Sequence, residues 1–294
     1  MRRPARIEAQ VAWALALPGL LLLFVFVLAP SLIVLAISFT DYSLAAPVVH
    51  LVGLGNYAEM LGDRLVWNAL RNTLLYSLVM VLGAAGLGLG VALLVGRMHR
   101  LGGFYRLAYF LPAASTMVAM ATVWEYLLHP SVGPVNQLIV WLGARPVTFL
   151  DGSGTALLTL AGIGIWQSTG FNMVLFLAGL SVIPRDLYHA AALDGADTSW
   201  DRFCLVTWPM LRPTTLFVVV VTAIQAFRVF DTVALLTQGG PARATDVMMY
   251  RIYLQAFQNL RMGYASALTV TFLGLLALLA WAQTRLAGRR RAPT

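Results

Sequence analysis

"YHAAALDGAD", residues 188–197, interrupts a chain made largely of long apolar runs. One run ends near residue 181, another begins near 214, and Pro184 and Pro213 bound the segment between them. Ala190, Ala191, Ala192 and Leu193 favour helix. Asp186 lies near its start, where a carboxylate suits the helix dipole, and Gly195 supplies a break at its end. Phe203, Leu205 and Val206 then resume an apolar stretch before Trp208-Pro209. The spacing predicts two short helices joined by a glycine turn, both outside the bilayer core.

The whole chain fits that setting. It has 294 residues, 60% hydrophobic and 11% charged, with a mean hydropathy of +0.78. Such values belong to integral membrane proteins. The apolar runs are long and unalternating, which predicts spanning helices rather than a barrel. Cys204 is the one cysteine, so no internal disulfide forms, and it reads as a small packing residue. All 20 basic residues are arginine. A Walker-A loop requires a Gly-Lys pair, which a chain without lysine cannot supply. If ATP drives this protein, another chain hydrolyses it.

Six segments are long enough to cross a bilayer, near 11–38, 66–95, 105–128, 156–181, 214–236 and 263–285. The first follows "MRRPAR", but its apolar stretch is too long for a signal peptide and lacks a clear cleavage site, so it reads as a retained helix. If the spans alternate, one side carries Arg2, Arg3, Arg6, Arg97, Arg100, Arg106, Arg185, Arg202, Arg212, Arg285, Arg289, Arg290 and Arg291. The other carries Arg64, Arg71, Arg145, Arg243, Arg251 and Arg261. The richer side is cytoplasmic. Both termini and residues 185–212 are therefore expected there, and the net charge of +8 marks loops rather than a nucleic-acid face.

Polar residues inside spans are costly and mark internal paths or packing networks. Arg228 and Asp231 are spaced i, i+3 in the fifth segment, which predicts an intramembrane ion pair on one helix face, with Gln225 a turn earlier. The fourth segment, "GIGIWQSTGFN", holds Gly164, Gln167, Ser168 and Asn172. Counting back from Pro184 and forward from Pro213, both clusters lie about 22–24 Å into the membrane. Equal depth suggests a polar contact layer along an internal path, with Trp166 as a stacking face. A helix-packing network explains the same residues. Gly83, Gly86, Gly88 and Gly90 suggest close helix packing, and Glu125 is expected at the outer face. Tyr250, Leu254 and Phe257 suggest a short amphipathic helix there. The four histidines are scattered, so no metal site and no catalytic constellation is expected.

The stretch "YHAAALDGADTSWDRFCLVTWPMLRP" resembles the cytoplasmic signature of permease subunits in binding-protein-dependent ABC importers. Further stretches are similar to the carbohydrate-uptake branch that includes maltose, trehalose and glycerol-phosphate importers. They are "SFTDY" (38–42), "VGLGNYAEML" (52–61), "RNTLLYS" (71–77), "FLPAA" (110–114), "HPSVGPVNQLI" (129–139), "AFRVFDTVALLTQGGP" (226–241) and "YRIYLQAF" (250–257). They occur in family order over nearly the whole chain.

The resemblance implies an all-α polytopic protein of the ABC type I importer permease fold. Residues 1–65 would form an N-terminal part with the first span and an outer loop. Residues 66–294 would form the permease core, with coupling helices at 185–212. It implies docking on an ATPase through His189, Ala190, Ala191, Asp194, Gly195 and Ala196, and sugar contacts at Gly164, Gln167, Ser168, Val221, Gln225 and Arg228. Expected partners are a second homologous permease, two cytoplasmic ATPases that bind ATP and Mg, an external substrate-binding protein, a sugar and membrane lipids. No cofactor is expected in this chain. The setting is a bacterial inner membrane. "AFRVFD" favours a di- or oligosaccharide such as trehalose or maltose; a glycerol-phosphate or other polyol is the alternative. His189 stands where the signature carries glutamate, and the spacing to Pro209 is one residue longer. The rival classes are an ion-coupled secondary transporter using Arg228, Asp231 or Glu125, disfavoured by the missing inverted repeat, and a membrane enzyme.

Overall fold

A computed structural model describes residues 4–46, 48–96, 98 and 101–288. Arg2, Arg3, Arg97, Arg100, Arg289, Arg290 and Arg291, used above for orientation, lie outside the described residues, as does His99. Thirteen α-helices follow in order: α1 (Pro4–Leu23), α2 (Ala29–Ile37), α3 (Gly55–Gly62), α4 (Arg64–Gly96), α5 (Gly102–Ala114), α6 (Met117–Leu127), α7 (Pro134–Trp141), α8 (Ala156–Ser181), α9 (Arg185–Leu193), α10 (Ser199–Arg202), α11 (Trp208–Phe227), α12 (Met248–Tyr253) and α13 (Met262–Gly288). The described residues contain no strand beyond one antiparallel bridge, Thr40–Leu51.

Among the described residues five helical stretches are long and apolar enough to cross a membrane: Val11–Ile37, Arg64–Gly96, Ala156–Ser181, Ser199–Phe227 and Met262–Gln283. The third expected span is different. It is broken into α5 and α6, which meet at 98°. The sixth crossing exists only if that pair counts as one. The break has a local cause. Pro112 sits inside α5, and Ser115 turns back on the helix, its N–H on the Pro112 carbonyl (3.2 Å) and its hydroxyl on the Leu111 carbonyl (3.0 Å). Ser115 and Thr116 then run extended, and α6 begins anew.

The fifth span also departs from its expected bounds of 214–236. Its helix starts earlier, because α10 continues through a π-helical turn at Phe203–Thr207 into α11. Pro209 lacks an N–H and its ring crowds the preceding turn, and the widened turn accommodates it. The second of the two short helices expected before residue 212 is thus the leading end of the span. The same span ends earlier, at Phe227; Arg228–Phe230 leave the helix and bury Val229, and a π-helical turn follows at Val233–Thr237.

The chain forms two compact units. One comprises Met1–Arg64 and Ile252–Leu275. In it Asn56 donates to the carbonyls of Ser38 (2.9 Å) and Thr40 (2.8 Å), and Arg261 pairs with Glu59 at 2.6 Å. Tyr264 donates to Asp63 at 3.0 Å, and the Gly263 N–H reaches the Tyr42 carbonyl at 2.8 Å. The His50 N–H donates to Asp41 at 2.6 Å and, with the imidazole, holds that carboxyl below its usual range.

The other unit comprises Leu65–Arg251 and Leu276–Thr294. Here α8 packs on α5 and α11, and Ala92, Val95, Met173, Phe176 and Val218 form one core. Among the four glycines expected to bring helices together, Gly88 does so: a Cβ there would lie 2.7 Å from the Asn172 Cβ. Gly83 faces Ile165 as closely, whereas Gly86 and Gly90 face open space. Asn172 itself accepts from Thr222 at 3.1 Å, joining α8 to α11. A buried Asp246–Arg251 ion pair organises the loop before α12, and Asn72 donates to the carbonyls of Arg243 (3.1 Å) and Asp246 (3.0 Å). Tyr250 is buried there; in the first unit, Phe257 is exposed within a π-helical turn at Leu254–Gln258.

Candidate functional site

A cavity of about 460 Å³ opens where the two broken spans meet α8. Gly164, Gln167, Ser168 and Phe171 line it from α8, and Gln225 and Arg228 from the end of α11. Asp231 and Thr232 follow from the unwound segment, Phe110, Ser115 and Met117 from the α5–α6 break, and Tyr76 and Met80 from α4. Non-helical backbone at membrane depth is tolerated where it lines such a cavity, since its peptide groups need polar partners. Both breaks are therefore in keeping with a hydrated path rather than with a lipid-facing surface.

Gly164, Gln167, Ser168, Gln225 and Arg228, expected in the path, all line this cavity, whereas Val221, Asn172 and Trp166 do not. Gly164 is required by a close approach: a Cβ would lie 2.5 Å from the Tyr76 hydroxyl and 3.2 Å from the Met80 sulfur. Ser168 is nine-tenths buried, and its hydroxyl makes no hydrogen bond among the described residues. Gln225, Arg228 and Asp231 are exposed to the cavity.

The expected Arg228–Asp231 ion pair is not formed. Among the described residues the arginine–carboxylate ion pairs are Arg251–Asp246 and Arg261–Glu59. The i, i+3 argument fails because the helix stops at Phe227, so the two residues do not share a helical face. Trp166 is also elsewhere: it packs edge-on against Trp124, with ring centroids 5.3 Å apart. Glu125 is exposed at the end of α6.

The polar interruption folds as α9 followed by a Schellman turn. Asp194 ends the helix and Gly195 takes a positive φ of +89°. The Ala196 N–H reaches the Ala191 carbonyl (2.9 Å) and the Gly195 N–H reaches the Ala192 carbonyl (3.3 Å). Ala191 and Ala196 are buried together against Ile183, Val206 and Leu211. His189, Ala190, Asp194 and Gly195 are exposed, and Leu193 is 90% exposed at the tip. The six residues expected to dock thus divide into an outward set of four and an inward pair that seats the helix. Thr198 then caps α10 in a reciprocal box with Asp201.

Sequence reasoning missed Tyr76, Phe110, Phe171 and Phe230, which give the cavity its aromatic walls. The signal available was Pro112 followed by Ser115-Thr116, a break beside a polar layer. The described residues hold no cluster of three metal-ligating side chains.

The profile of one protein family, described as binding-protein-dependent transport system inner membrane component, matches residues 13–292. The chain is 34% identical to a probable ABC transporter permease protein of Pyrococcus horikoshii, covering 89% of this chain and 90% of that one. It is 34% identical to the sn-glycerol-3-phosphate transport system permease protein UgpA of Agrobacterium fabrum, covering 82% of each. It is also 34% identical to the trehalose/maltose transport system permease protein MalF of Thermococcus litoralis, covering 87% of this chain and 85% of that one. In fold it matches a chain of a bacterial alginate ABC transporter crystallised with an alginate pentasaccharide-bound periplasmic protein. That match has a TM-score of 0.86 at 23% identity, over 98% of both chains.

Proposed function

The chain belongs to the family of binding-protein-dependent transport system inner membrane components, and on that premise we propose that it forms half of the translocation path of an ATP-driven carbohydrate importer. The observation that carries this reading is the convergence of Gln167, Ser168, Gln225, Arg228 and Asp231 on one cavity at two helix breaks. Each sugar hydroxyl both donates and accepts, and this set offers donors and acceptors together. Phe110, Phe171 and Phe230 offer apolar faces to the ring. The cavity carries one charge of each sign, Arg228 and Asp231, which favours a neutral di- or oligosaccharide such as trehalose or maltose. A polyol phosphate is the second reading, supported by the relative named for sn-glycerol-3-phosphate transport.

In this reading the outward set on α9, His189, Ala190, Asp194 and Gly195, seats on a cytoplasmic ATPase that binds ATP and Mg. The buried Ala191 and Ala196 tie that contact to the permease core. A second permease completes the path, and an external substrate-binding protein delivers the sugar. Both termini lie in the cytoplasm.

The test is uptake by proteoliposomes holding this chain with its permease, ATPase and binding-protein partners. ATP-dependent uptake of labelled trehalose or maltose is expected. Arg228→Ala should raise the KM about tenfold, the worth of one charge-assisted hydrogen bond, with the complex still assembled. Uptake of glycerol 3-phosphate instead of disaccharide overturns the neutral substrate. Uptake driven by an ion gradient without ATP overturns the importer.

A further inference from the structure

A second cavity, of about 760 Å³, opens at the opposite end of the same unit from the outer loops of α4 and α8. Leu93 in the last turns of α4 and Leu180 at the end of α8 give it an aliphatic wall. Trp200 and Phe203, at the start of the long helix Ser199–Phe227, give it an aromatic one, their rings stacked 5.5 Å apart. Tyr188 of α9 also lines it. Trp200 is 69% exposed. Among the described residues that line it, Arg202 is the one charged side chain.

The guanidinium of Arg202 is placed but not neutralised. Its Nε donates to the Ala196 carbonyl at 3.0 Å, which fixes the plane and leaves the two Nη groups. The neighbouring carboxylate, Asp201, is taken up by Thr198, whose hydroxyl donates to it at 2.6 Å. No ion pair joins Arg202 to a carboxylate among the described residues. The cavity thus combines apolar walls with a single oriented cation, at the level where the ends of two spans and the beginning of a third converge. Tryptophan favours that level in a bilayer, the headgroup region, and a planar guanidinium favours phosphate.

We propose that this cavity seats one anionic phospholipid, its phosphate on Arg202 and its glycerol and upper acyl chains against Trp200, Phe203, Leu93 and Leu180. The proposal rests on the cytoplasmic placement of residues 185–212, since anionic lipids concentrate in that leaflet. Because Arg202 and Tyr188 also hold α9 in place, the lipid would brace the proposed coupling helix from its inner side.

The test uses the complete transporter, delipidated in detergent and reloaded from vesicles of phosphatidylcholine with or without phosphatidylglycerol. Native mass spectrometry reads the lipid retained, a measurement independent of the sugar carried. Retained phosphatidylglycerol is expected in the wild type, and about fivefold less in Arg202→Gln, the worth of one basic residue at an anionic surface. Arg202→Lys, which keeps the charge and loses the Nε bond, should retain it. Trp200→Ala, an exposed position that leaves the helix intact, should lose it and serves if Arg202→Gln does not assemble. Equal retention in the wild type and these variants overturns the proposal. Displacement by inorganic phosphate overturns it in favour of a free-anion site. A photo-crosslinker at residue 200 that captures an ATPase subunit rather than lipid overturns it in favour of a protein contact.

Discussion

The Tyr188 hydroxyl lies 3.0 Å from the Thr207 hydroxyl, across the gap between α9 and the π-helical turn that leads into α11. The pair is partly buried and sits beside the Ile183–Leu211 cluster, so α9 is fastened to the fifth-span helix by a polar bond as well as by packing. Tyr188→Phe removes that bond and little else. It should cost about 1 kcal/mol and lower the number of sugars moved per ATP hydrolysed, with complex yield unchanged. Simultaneous uptake and ATPase assays check this; an unchanged ratio would leave the bond without a part in coupling.

Gly195→Val places a β-branched side chain at a φ of +89°, where L residues are strained by about 1–2 kcal/mol. Nothing in this chain lies within 4 Å of a Cβ at this position, so the strain within the chain is conformational and not steric. The Schellman turn should open and uncouple ATPase activity from uptake. Gly195→Asn, which tolerates the left-handed region, should restore coupling.

Gly164→Ala drives a methyl group toward the Tyr76 hydroxyl. The variant should lose transport about tenfold, as overpacking costs typically 1–3 kcal/mol. Tyr76→Phe removes the crowded oxygen, and the double variant should recover part of the loss. If the two effects simply add, the contact does not limit the site.

Acid should loosen the Thr40–Leu51 loop. The Asp41 carboxyl is held below its ordinary value of 3.8 by the His50 N–H and imidazole. A depressed pKa contributes stability above the ordinary value that is lost as pH falls through the folded one. Hydrogen-exchange protection of the His50 amide should therefore be full near neutral pH and fall below pH 3.8, and Asp41→Ala should abolish the pH dependence.

Much of this architecture is legible in the sequence because helical rise is constant. Counting from Pro184 and Pro213 puts Ser168 and Arg228 at equal depth, and both line one cavity. The breaks were harder to read. Ala113, Ala114, Ser115 and Thr116 carry no charge, and Pro112 is tolerated within apolar helices, so Pro112 before Ser115-Thr116 is a weak sign of a bend that a continuous span also accommodates. Pro213 reads as the start of the fifth span because a π-helical turn that absorbs Pro209 leaves no simple spacing. The Arg228–Asp231 pair was inferred from a periodicity that holds only while the helix does. Tyr76, Phe110 and Phe171 are aromatic residues among aliphatic ones, and composition does not say which of them turns inward.

The helix from Ser199 to Phe227 has 29 residues, so it is about 43 Å long. One end carries the contacts that seat α9, and the other ends beside Gln225 and Arg228. Such a strut works as a lever. A tilt of about 10° applied at one end carries the other through about 7 Å, enough to move a guanidinium out of reach of a sugar ring. The π-helical turn at Phe203–Thr207 sits near the driven end, where a helix is most easily bent. Its stiffness sets how much of a stroke arrives at the far end as displacement and how much is lost as flexure. Stroke length, and not affinity alone, then becomes a property that mutation of this one turn can tune.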